Sequence, residues 1–471
     1  AQKRLGLAPL SPVTCLREAI EHCANLVRAP FIASAADGGG VSSAASLLGQ
    51  PEPENTRVLV GLSGGVDSST TAFLLREAGF QVEGVYMRNW DELEEQGECS
   101  GETDVKDARK LCEHLGIRLH EVNFVKEYWT DVWEVSLRSW AEGQTPNPDI
   151  LCNREVKFKA LFDLVRTQLG ADYLATGHYA RCLPLTEARQ RSAFGTLTPV
   201  EKADPDEVCL LSGVDSRKDQ SYFLSQISQE ALRHTLFPLG ALRKTVVRQI
   251  AEQAQLHTAQ RRDSFGICFV GERKLSPFLS QYLAQKPGNF VHFPDGLVLG
   301  QHPGVLGFTV GQRARLSGLL DKHYVVDKHM ESNRVYLVPS YDHPSLYSTR
   351  AIVDSPDWLN SRAPLKLLQQ RELGVDTVGL LECECMLRYQ QQLQRCFVEL
   401  LPDDRLALHF VVPQRAVAVG QTAVLYDGEV CLGGGTIADS SARELFFKSV
   451  CMRSETRKEE THVGGRAPTI E

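Results

Sequence analysis

The stretch VLVGLSGGVDSSTTAFLL, from Val58 to Leu75, places small and polar residues between two apolar runs. A loop that joins a strand to the N-terminus of a helix presents unpaired backbone N–H groups and the positive end of the helix dipole, and glycines let an anion approach them. Ser63-Gly64-Gly65 is therefore predicted to bind phosphate. The Lys of the pattern G-x-x-x-x-G-K-[ST] is absent, so this is not a Walker A loop. A tight turn that only leads into a helix is the alternative.

The elements that must position this loop can be read on either side of it. Residues 57–62, RVLVGL, are a short run of β-branched and Leu residues that predicts a strand. From Ser68 the apolar residues recur with helical spacing. Further strands are predicted at QVEGVYM, IRLHEVNF and ADYLATG, with helices over 103–115 and up to about 169. This alternation predicts an α/β fold with a doubly wound parallel sheet, whose ligands bind beyond the carboxyl ends of the strands.

The composition is that of a globular chain long enough for more than one core. At 471 residues we expect two or three domains. The formal net charge of −8 gives no overall attraction to nucleic acid, so a polyanionic partner must meet local basic patches. No apolar run approaches the length of a bilayer-spanning helix, and we expect no membrane-embedded role. The thirteen cysteines include no Cys-x-x-Cys pair, which argues against a structural zinc site and favours a reducing compartment.

The two ends of the chain differ from the rest. Residues 1–55 contain many Ala and Ser, three arginines, and a Gly-rich patch at ADGGGVSSAAS. This composition is typical of a flexible leader or transit peptide, although Glu18, Glu21 and Asp37 count against targeting. Residues 453–471 are polar and charged and predict a disordered tail.

The string SGGVDS resembles the pyrophosphate-binding PP-loop of the ATP pyrophosphatase superfamily. Members of that superfamily cleave ATP between the α and β phosphates to adenylate a carbonyl oxygen. The resemblance implies that Asp67 helps to organise a magnesium-bound triphosphate. It also implies an ATP site made of Gly61, Leu62, Ser63, Gly64, Gly65, Val66, Asp67 and Ser68.

Four further strings narrow the resemblance to the tRNA-specific 2-thiouridylases, with mitochondrial members the most similar. They are MRNWD from Met87, TPNPDILCN from Thr145, ATGHYAR from Ala175 and SFGICFVGER from Ser264, in an ordered match over roughly 57–440. Enzymes of this family replace O2 of the wobble uridine by sulfur in tRNAs for lysine, glutamate and glutamine. The expected function is therefore adenylation of that oxygen followed by sulfur transfer.

The resemblance assigns two cysteines to the sulfur chemistry. Adenylation turns O2 into a leaving group, and a persulfide sulfur then attacks the carbon. Cys268 would carry the persulfide, and Cys152 would be the second thiol that releases the sulfur, leaving a Cys152–Cys268 disulfide for an external reductant. The alternative is that each is a small buried residue, as a free cysteine in an apolar run usually is.

The resemblance also assigns contacts to the target base and to the nucleoside of ATP. The resemblance places Asn147, Pro148 and Asp149 on the target base, with Asp149 as a general base or a ligand of the uracil edge. The alternative for Asp149 is a helix N-cap. Met87 and Gly177 would line the adenine and ribose side of the ATP site, and ordinary strand core is the alternative for Met87.

Recognition of tRNA requires basic and polar contacts because phosphate contacts dominate affinity. The segment RKDQSYFL makes Lys218, Asp219 and Gln220 candidates by resemblance. Arg388 and Tyr389 resemble another tRNA-contacting site, where the tyrosine would stack on an unpaired base. A solvated strand face is the alternative for this pair. The basic string RRD from Arg261 also reads as solvated surface.

Three domains are expected between the leader and the tail. Residues 56–245 carry the phosphate-binding loop, and residues 246–345 form a small central domain with Cys268. Residues 346–452 contain short alternating runs such as CFVELL and LALHFVV, which predict an antiparallel β-barrel. Residues 184–208 are expected to be a surface insertion between strands.

Two other functions share part of the pattern. Another PP-loop enzyme, such as a lysidine synthetase or an amidating synthetase, would keep SGGVDS without needing both cysteines. A non-catalytic tRNA-binding protein would keep the basic patches and could lose Asp67. The complete set favours catalysis. The resemblance further implies ATP and Mg²⁺ as cofactors, tRNA and a persulfide sulfur-donor protein as partners, and a mitochondrial location, with plastid or cytoplasm as alternatives.

Overall fold

A computed structural model describes residues 12–26, 53–90, 100–197, 204, 206–263, 275–359 and 363–447. Cys268 with the whole string SFGICFVGER and the tail 453–471 lie outside the described residues. The strands are β1 (Arg57–Leu62), β2 (Gln81–Arg88), β3 (Leu119–Asn123), β4 (Tyr173–Ala175), β5 (Ala180–Pro184), β6 (Val208–Ser212), β7 (Thr235–Leu236), β8 (Gly288–His292), β9 (Val298–His302), β10 (Arg313–Ala314), β11 (His323–His329), β12 (Arg334–Pro339), β13 (Tyr347–Trp358), β14 (Leu381–Met386), β15 (Gln394–Leu400), β16 (Leu406–Arg415), β17 (Thr422–Asp427) and β18 (Val430–Ser440).

Six helical stretches are labelled, two of them built from consecutive segments. They are α1 (Pro12–Asn25), α2 (Val66–Glu77), α3 (Ser100–Leu115), α4 (Val125–Tyr128, Trp129–Trp133 and Glu134–Ala141), α5 (Pro148–Leu151, Cys152–Ala160, Leu161–Asp163 and Leu164–Gln168) and α6 (Lys244–Gln253). Shorter helical segments lie at Pro53–Asn55, Leu185–Ala188, Arg189–Arg191, Ser221–Leu224, Gln229–Arg233, Leu275–Leu279, Pro344–Leu346, Leu365–Leu373 and Val375–Val378. No helix in the described ranges is long and apolar enough to cross a bilayer.

The predicted parallel sheet is confirmed. Its strand order is β3-β2-β1-β4-β7, and every pairing in it is parallel. The sheet is covered on both faces, because Leu59 of β1 packs with the apolar side chains of α4 and α5, whereas Val58 and Val60 pack with those of α1, α2, α3 and α6. Burial on both faces explains why β1 is an almost continuous apolar run.

The first labelled helix differs from the flexible leader expected over residues 1–55. Over Pro12–Asn25 the chain is helical, and Ala19 and Cys23 are fully buried in the apolar cluster that also contains residues of α2 and α6. Apolar side chains at 16, 19, 20 and 23 share one face of this helix, which is the spacing of an amphipathic helix. A leader composition therefore does not prevent part of this segment from joining the core.

We expect Ala19→Asp to lower the free energy of unfolding by roughly 3 kcal/mol, because it places an unpaired carboxylate in an apolar cluster. Glu18→Gln, one residue away on the exposed side of α1, is the matched control and should change stability little. Urea unfolding followed by circular dichroism measures both variants. Equal stabilities for Ala19→Asp and the parent chain would mean that α1 contributes nothing to the core.

The boundary expected at residue 246 falls inside a helix of the first unit. Helix α6 spans Lys244–Gln253, and Val247 and Ile250 lie in the same apolar cluster as Val58 and Val60 of β1. The parallel-sheet unit thus continues through α6, since this helix covers the same face of the sheet as α1, α2 and α3 and comes after the last sheet strand. Beyond it, a five-stranded sheet of order β10-β11-β12-β8-β9 covers residues 288–339.

The predicted antiparallel barrel is also confirmed. Strands β13-β16-β15-β14-β17-β18 form a sheet that closes through the β13–β18 pairing, and β6 and β5 extend it from β18. Part of the expected 184–208 insertion lies on this barrel. The buried carboxylate of Asp427 in β17 accepts hydrogen bonds from the backbone N–H groups of Ala193, Phe194 and Thr196, so the β5–β6 connection is tied to the barrel.

A pH effect on stability is expected from Asp327, which is buried in β11. Burial raises the pKa of this carboxyl to about 6, although the backbone N–H of Lys328 donates to it and Arg443 lies 3.6 Å away. A carboxyl whose folded-state pKa is raised contributes stability below its unfolded pKa, and this contribution is lost as the pH rises through 6. Relative to Asp327→Asn, the parent chain should therefore lose stability between pH 4 and pH 7. Urea unfolding at several pH values measures this, and parallel pH profiles for the two chains would contradict it.

Candidate active site

The Ser63-Gly64-Gly65 loop joins the end of β1 to the start of α2, at the carboxyl edge of the parallel sheet. Gly64 has φ +70°, and the Ser63 N–H donates to the hydroxyl of Ser68 at 3.2 Å, which folds the loop over the first turn of α2. The hydroxyls of Ser68 and Ser69 donate to the carbonyl of Gly65 at 3.2 and 2.8 Å. Among the described residues no side chain caps this N-terminus, so its N–H groups can receive an anion.

Two glycines are required where other backbone approaches this loop. A Cβ at Gly64 would lie 2.8 Å from the carbonyl oxygen of Asp104, and the positive φ disfavours any other residue. A Cβ at Gly177, just beyond β4, would lie 2.9 Å from the backbone carbon of Asp67 and the nitrogen of Ser68. Gly177 therefore packs against the first turn of α2, and its contact with the adenine and ribose side of an ATP site stays a prediction.

Asp67, the second residue of α2, is held by two side chains from distant parts of the chain. The hydroxyl of Tyr179 donates to Oδ1 at 2.7 Å. The ammonium of Lys244, at the start of α6, lies 2.7 Å from both carboxylate oxygens. The same ammonium is 2.9 Å from Oδ1 of Asp263.

The carboxylate of Asp263 contacts three cationic side chains, of which Lys244 is one. Lys218 and Arg248 each contact its carboxylate at 2.6 Å, in addition to Lys244. Burial would raise the pKa of Asp263, but the hydrogen bonds from Lys218 and Lys244 outweigh it and hold the pKa at about 2. The carboxylate is therefore ionised at neutral pH. We call Asp67, Lys218, Lys244, Arg248 and Asp263 the charge cluster.

Arg261 is a further cation that contacts the loop, and Arg248 of the charge cluster donates to its backbone carbonyl at 3.0 Å. The guanidinium of Arg261 donates to the carbonyl of Gly64 at 2.8 Å and forms ion pairs with Asp104 and Asp107 of α3. The expectation that the RRD string is only solvated surface is wrong for Arg261, because this side chain is two-thirds or more buried and ties α3 to the loop.

Met87 lies at the same edge of the sheet as the loop. Leu62, the last residue of β1, pairs with Tyr86, so Met87 is one residue beyond the end of β1 in the adjacent strand. Its half-buried side chain packs against the apolar cluster of α4 and α5. The structure thus combines the edge position expected of an ATP contact with the core packing that was the alternative.

The NPDILC string forms the start of α5. Asn147 is the N-cap, because its side-chain oxygen accepts from the N–H of Asp149 at 3.2 Å, and Pro148 occupies the first helical position. The alternative that Asp149 is the N-cap is therefore wrong, because the N-cap lies two residues earlier in the chain. Cys152 follows one turn later and is fully buried. Its neighbour Asn153 donates to the carbonyl of Phe223 at 3.0 Å.

The loop before Asn147 is clamped by the barrel. The N–H of Thr145 donates to the carbonyl of Val419 at 2.8 Å, and the side chain of Gln421 donates to the carbonyl of Thr145 at 2.7 Å. Between these two contacts Gly420 has φ +90°, and a Cβ there would lie 2.7 Å from the nitrogen of Thr145. The C-terminal barrel thus fixes the segment that leads into Asn147, Asp149 and Cys152.

The three residues of the KDQ string have separate roles in the structure. Lys218 belongs to the charge cluster. Asp219 accepts from the N–H groups of Gly213 and Ser221 at 2.8 and 3.1 Å, and burial raises its pKa. Gln220 accepts from the N–H of Tyr179 at 3.0 Å. The carboxylate of Asp219 and the amide oxygen of Gln220 are therefore engaged by the protein itself.

Arg388 and Tyr389 lie in the turn after β14, not on the strand face that was the alternative for them. Arg388 is exposed and donates to the carbonyl of Arg415 at 3.2 Å. The ring of Tyr389 lies 4.3 Å from that of Phe223, whose carbonyl holds Asn153. In this structure the ring of Tyr389 therefore packs, tilted by 47°, against a protein side chain next to the Cys152 segment.

Sequence reasoning misses Lys244, Arg248 and Asp263. The only local signal is the KTVVR string, which places two basic residues four apart on one face of a helix. Such a pair is usually solvated. Its role appears only when the fold brings Lys244 to Asp67, which is 177 positions away in the chain.

A parallel sheet with a glycine-rich loop at its carboxyl edge, followed by a second sheet and a closed barrel, defines an α/β protein of the HUP-domain type with two appended β-domains. Family models agree with each part. The tRNA methyl transferase HUP domain matches residues 56–272, the tRNA methyl transferase PRC-barrel domain 276–339, and the aminomethyltransferase beta-barrel domain 348–437.

Similar curated proteins identify the family. The tRNA-specific 2-thiouridylase MnmA of Psychrobacter sp. (strain PRwf-1) is 45% identical over 396 residues, which cover 82% of this chain and 94% of that protein. The protein of the same name from Lysinibacillus sphaericus (strain C3-41) is 43% identical over 388 residues, or 82% of this chain and 95% of that protein. This chain belongs to the family of tRNA-specific 2-thiouridylases.

Among solved structures, the U34-tRNA thiolase NcsA from Methanococcus maripaludis with its 4Fe-4S cluster is a distant match. It is 19% identical with a TM-score of 0.31, and the match covers 54% of this chain and 68% of that one. A similarity this low carries no conclusion about the site.

Proposed function

We propose that this protein is an ATP-dependent tRNA-uridine 2-sulfurtransferase, which adenylates O2 of a wobble uridine and replaces that oxygen by sulfur. The observation that carries the proposal is the loop Ser63-Gly64-Gly65 at the carboxyl edge of the sheet, in a chain that aligns with nearly the full length of 2-thiouridylases. The tRNAs for lysine, glutamate and glutamine are the proposed substrates.

The loop and its neighbours bind the nucleotide in this proposal. The free N–H groups of the first turn of α2 receive the phosphates, and Gly64 and Gly177 keep the backbone around them accessible. The carboxylate of Asp67 is an oxygen ligand of the kind that Mg²⁺ prefers, and it lies in the same turn, so it fits a metal ion that enters with ATP. Met87 and Gly177 line the nucleoside side.

The start of α5 handles the base and the sulfur. Asn147, Pro148 and Asp149 hold the uracil edge while O2 attacks the α-phosphate of ATP and pyrophosphate leaves. The terminal sulfur of a persulfide on Cys268 attacks C2, and AMP departs with the former O2. Cys152 then attacks the Cys268 sulfur, which releases 2-thiouridine and leaves a Cys152–Cys268 disulfide. A dithiol reductant returns two electrons and two protons.

The remaining assignments concern partners and location. The exposed Arg388 is proposed to contact tRNA phosphates, and so is Lys218 while its ammonium still pairs with Asp263. Tyr389 lies near Arg388 as a base-stacking ring once it leaves Phe223. Asp219 and Gln220 are proposed to position this surface through their bonds to the backbone. A persulfide-carrying protein supplies the sulfur. We propose a mitochondrial location, on the strength of the resemblance and the composition of the first residues.

The test is ATP-dependent sulfur transfer to an unmodified tRNA with a wobble uridine, read by retardation in a thiol-affinity gel. The purified chain receives tRNA, ATP and a persulfide donor. A retarded tRNA that requires ATP and is lost when the wobble uridine is replaced by cytidine supports the proposal. Silence of the chain under these conditions, with AMP still formed from ATP, would instead favour another adenylating PP-loop enzyme.

A further inference from the structure

The phosphate-binding loop contains no cation of its own. Residues 61–68 read GLSGGVDS, and the only charged side chain among them is the carboxylate of Asp67. Backbone N–H groups carry partial charges, whereas pyrophosphate at neutral pH carries several full negative charges. A cationic side chain for this site has to come from elsewhere in the fold.

We propose that Lys244 is that cation, and that its ammonium moves from the carboxylate of Asp67 to the pyrophosphate portion of ATP when the nucleotide binds. This proposal rests on the proposed function and adds a phosphate ligand to it. Lys244 Nζ lies 2.7 Å from both oxygens of Asp67, which is the second residue of the helix that presents the loop's N–H groups. The ammonium is thus already at the first turn of α2.

The position of this ammonium is fixed by its surroundings. The Lys244 side chain is only 11% exposed, its backbone N–H donates to Asp215 at 3.0 Å, and its ammonium lies 5.8 Å from the ring centre of Tyr179. Because the stem is held by packing and the backbone by a hydrogen bond, only the end of the side chain needs to turn. The guanidinium of Arg261 is already paired with the carbonyl of Gly64 and the carboxylates of Asp104 and Asp107.

The two carboxylates that Lys244 contacts are not equivalent. Asp263 keeps two further cations, Lys218 and Arg248, when the ammonium turns away. Within the described residues, the other partner of Asp67 is the neutral hydroxyl of Tyr179. Departure of Lys244 therefore leaves Asp263 compensated and leaves Asp67 available to a cation that arrives with the nucleotide. The arrangement suits an exchange of partners at Asp67.

Binding of inorganic pyrophosphate and of AMP, each measured by isothermal titration calorimetry on the full chain, tests the assignment. We expect Lys244→Gln to weaken pyrophosphate binding by about 10- to 100-fold, the usual effect of a lost charge-assisted hydrogen bond, and to change AMP binding less than threefold. Lys106→Gln is the control, because Lys106 is an exposed lysine of α3 paired with Glu102. It should bind both ligands as the parent chain does.

A second pair of variants removes the effect of an uncompensated carboxylate. Asp67→Asn should retain pyrophosphate binding in the absence of metal, and Lys244→Gln added to it should abolish this binding. Equal pyrophosphate affinities with and without Lys244, in folded proteins, would overturn the proposal, as would equal losses for AMP and pyrophosphate. Lys244-dependent pyrophosphate binding by a chain that forms no 2-thiouridine would uphold this assignment and overturn only the thiolation.

Discussion

Replacing Cys152 by serine is expected to reduce the rate of 2-thiouridine formation by on the order of 10³-fold or more, because a hydroxyl does not attack a disulfide sulfur as a thiolate does. Binding of ATP and tRNA should be retained, since Ser differs from Cys by one atom. The thiol-affinity gel measures product, and filter binding measures tRNA affinity.

The proposed order of steps also predicts which intermediate accumulates in the Cys152→Ser variant. If Cys152 releases the sulfur, Cys152→Ser stops after C2 has joined the persulfide, so tRNA should become covalently linked to the protein through a bond that dithiothreitol breaks. Cys112→Ser is the matched control, because Cys112 is also buried and burial raises its pKa to about 11. Normal turnover by Cys152→Ser, or a similar loss in the control, would remove Cys152 from the chemistry.

Gly177→Ala is the second change with a large expected effect, a fall of roughly 100-fold in kcat/KM for ATP. The added methyl group would lie 2.9 Å from the backbone of Asp67 and Ser68, closer than Cβ atoms approach backbone, so the first turn of α2 has to shift. Steady-state kinetics with ATP as the varied substrate measures the effect.

Gly61→Ala provides the comparison within the same site. A Cβ at Gly61 would meet the carbonyl of Ala175 and the methyl of Thr176 at 3.8 Å, which is ordinary contact. Its effect on kcat/KM for ATP should therefore be far smaller than that of Gly177→Ala. Comparable losses in the two variants would show that Gly177 is needed for another reason than its approach to α2.

The parts of this structure that local sequence determines could be predicted. Local residues determine the loop, the strands on either side of it and the alternating barrel strands. The positions of the glycines predict the loop, and the spacing of the apolar residues predicts the strands. The N-cap at Asn147 follows the same local rule, yet Asn147 and Asp149 are both good caps, and the proline between them decides in favour of Asn147.

Contacts between distant segments could not be predicted in this way. Lys244 acts on Asp67, Arg261 on Gly64 and Gln421 on Thr145, and each of these pairs joins residues more than 150 positions apart. Composition also misled at the amino-terminal helix, because Ala-rich and Arg-containing sequence suits both a flexible leader and an amphipathic helix. Whether such a helix forms depends on the apolar surface that the remaining fold offers it.

Helix α1 also limits how this chain can be trimmed. A protease that cut between Leu26 and Pro53 would separate the helix from the rest of the chain and uncover the apolar cluster on α2 and α6. Uncovered apolar surface of this kind promotes aggregation. If the protein is imported into an organelle, a presequence peptidase would therefore have to cut before Pro12. The mature enzyme would then retain α1 and the apolar contacts that α1 makes with α2 and α6.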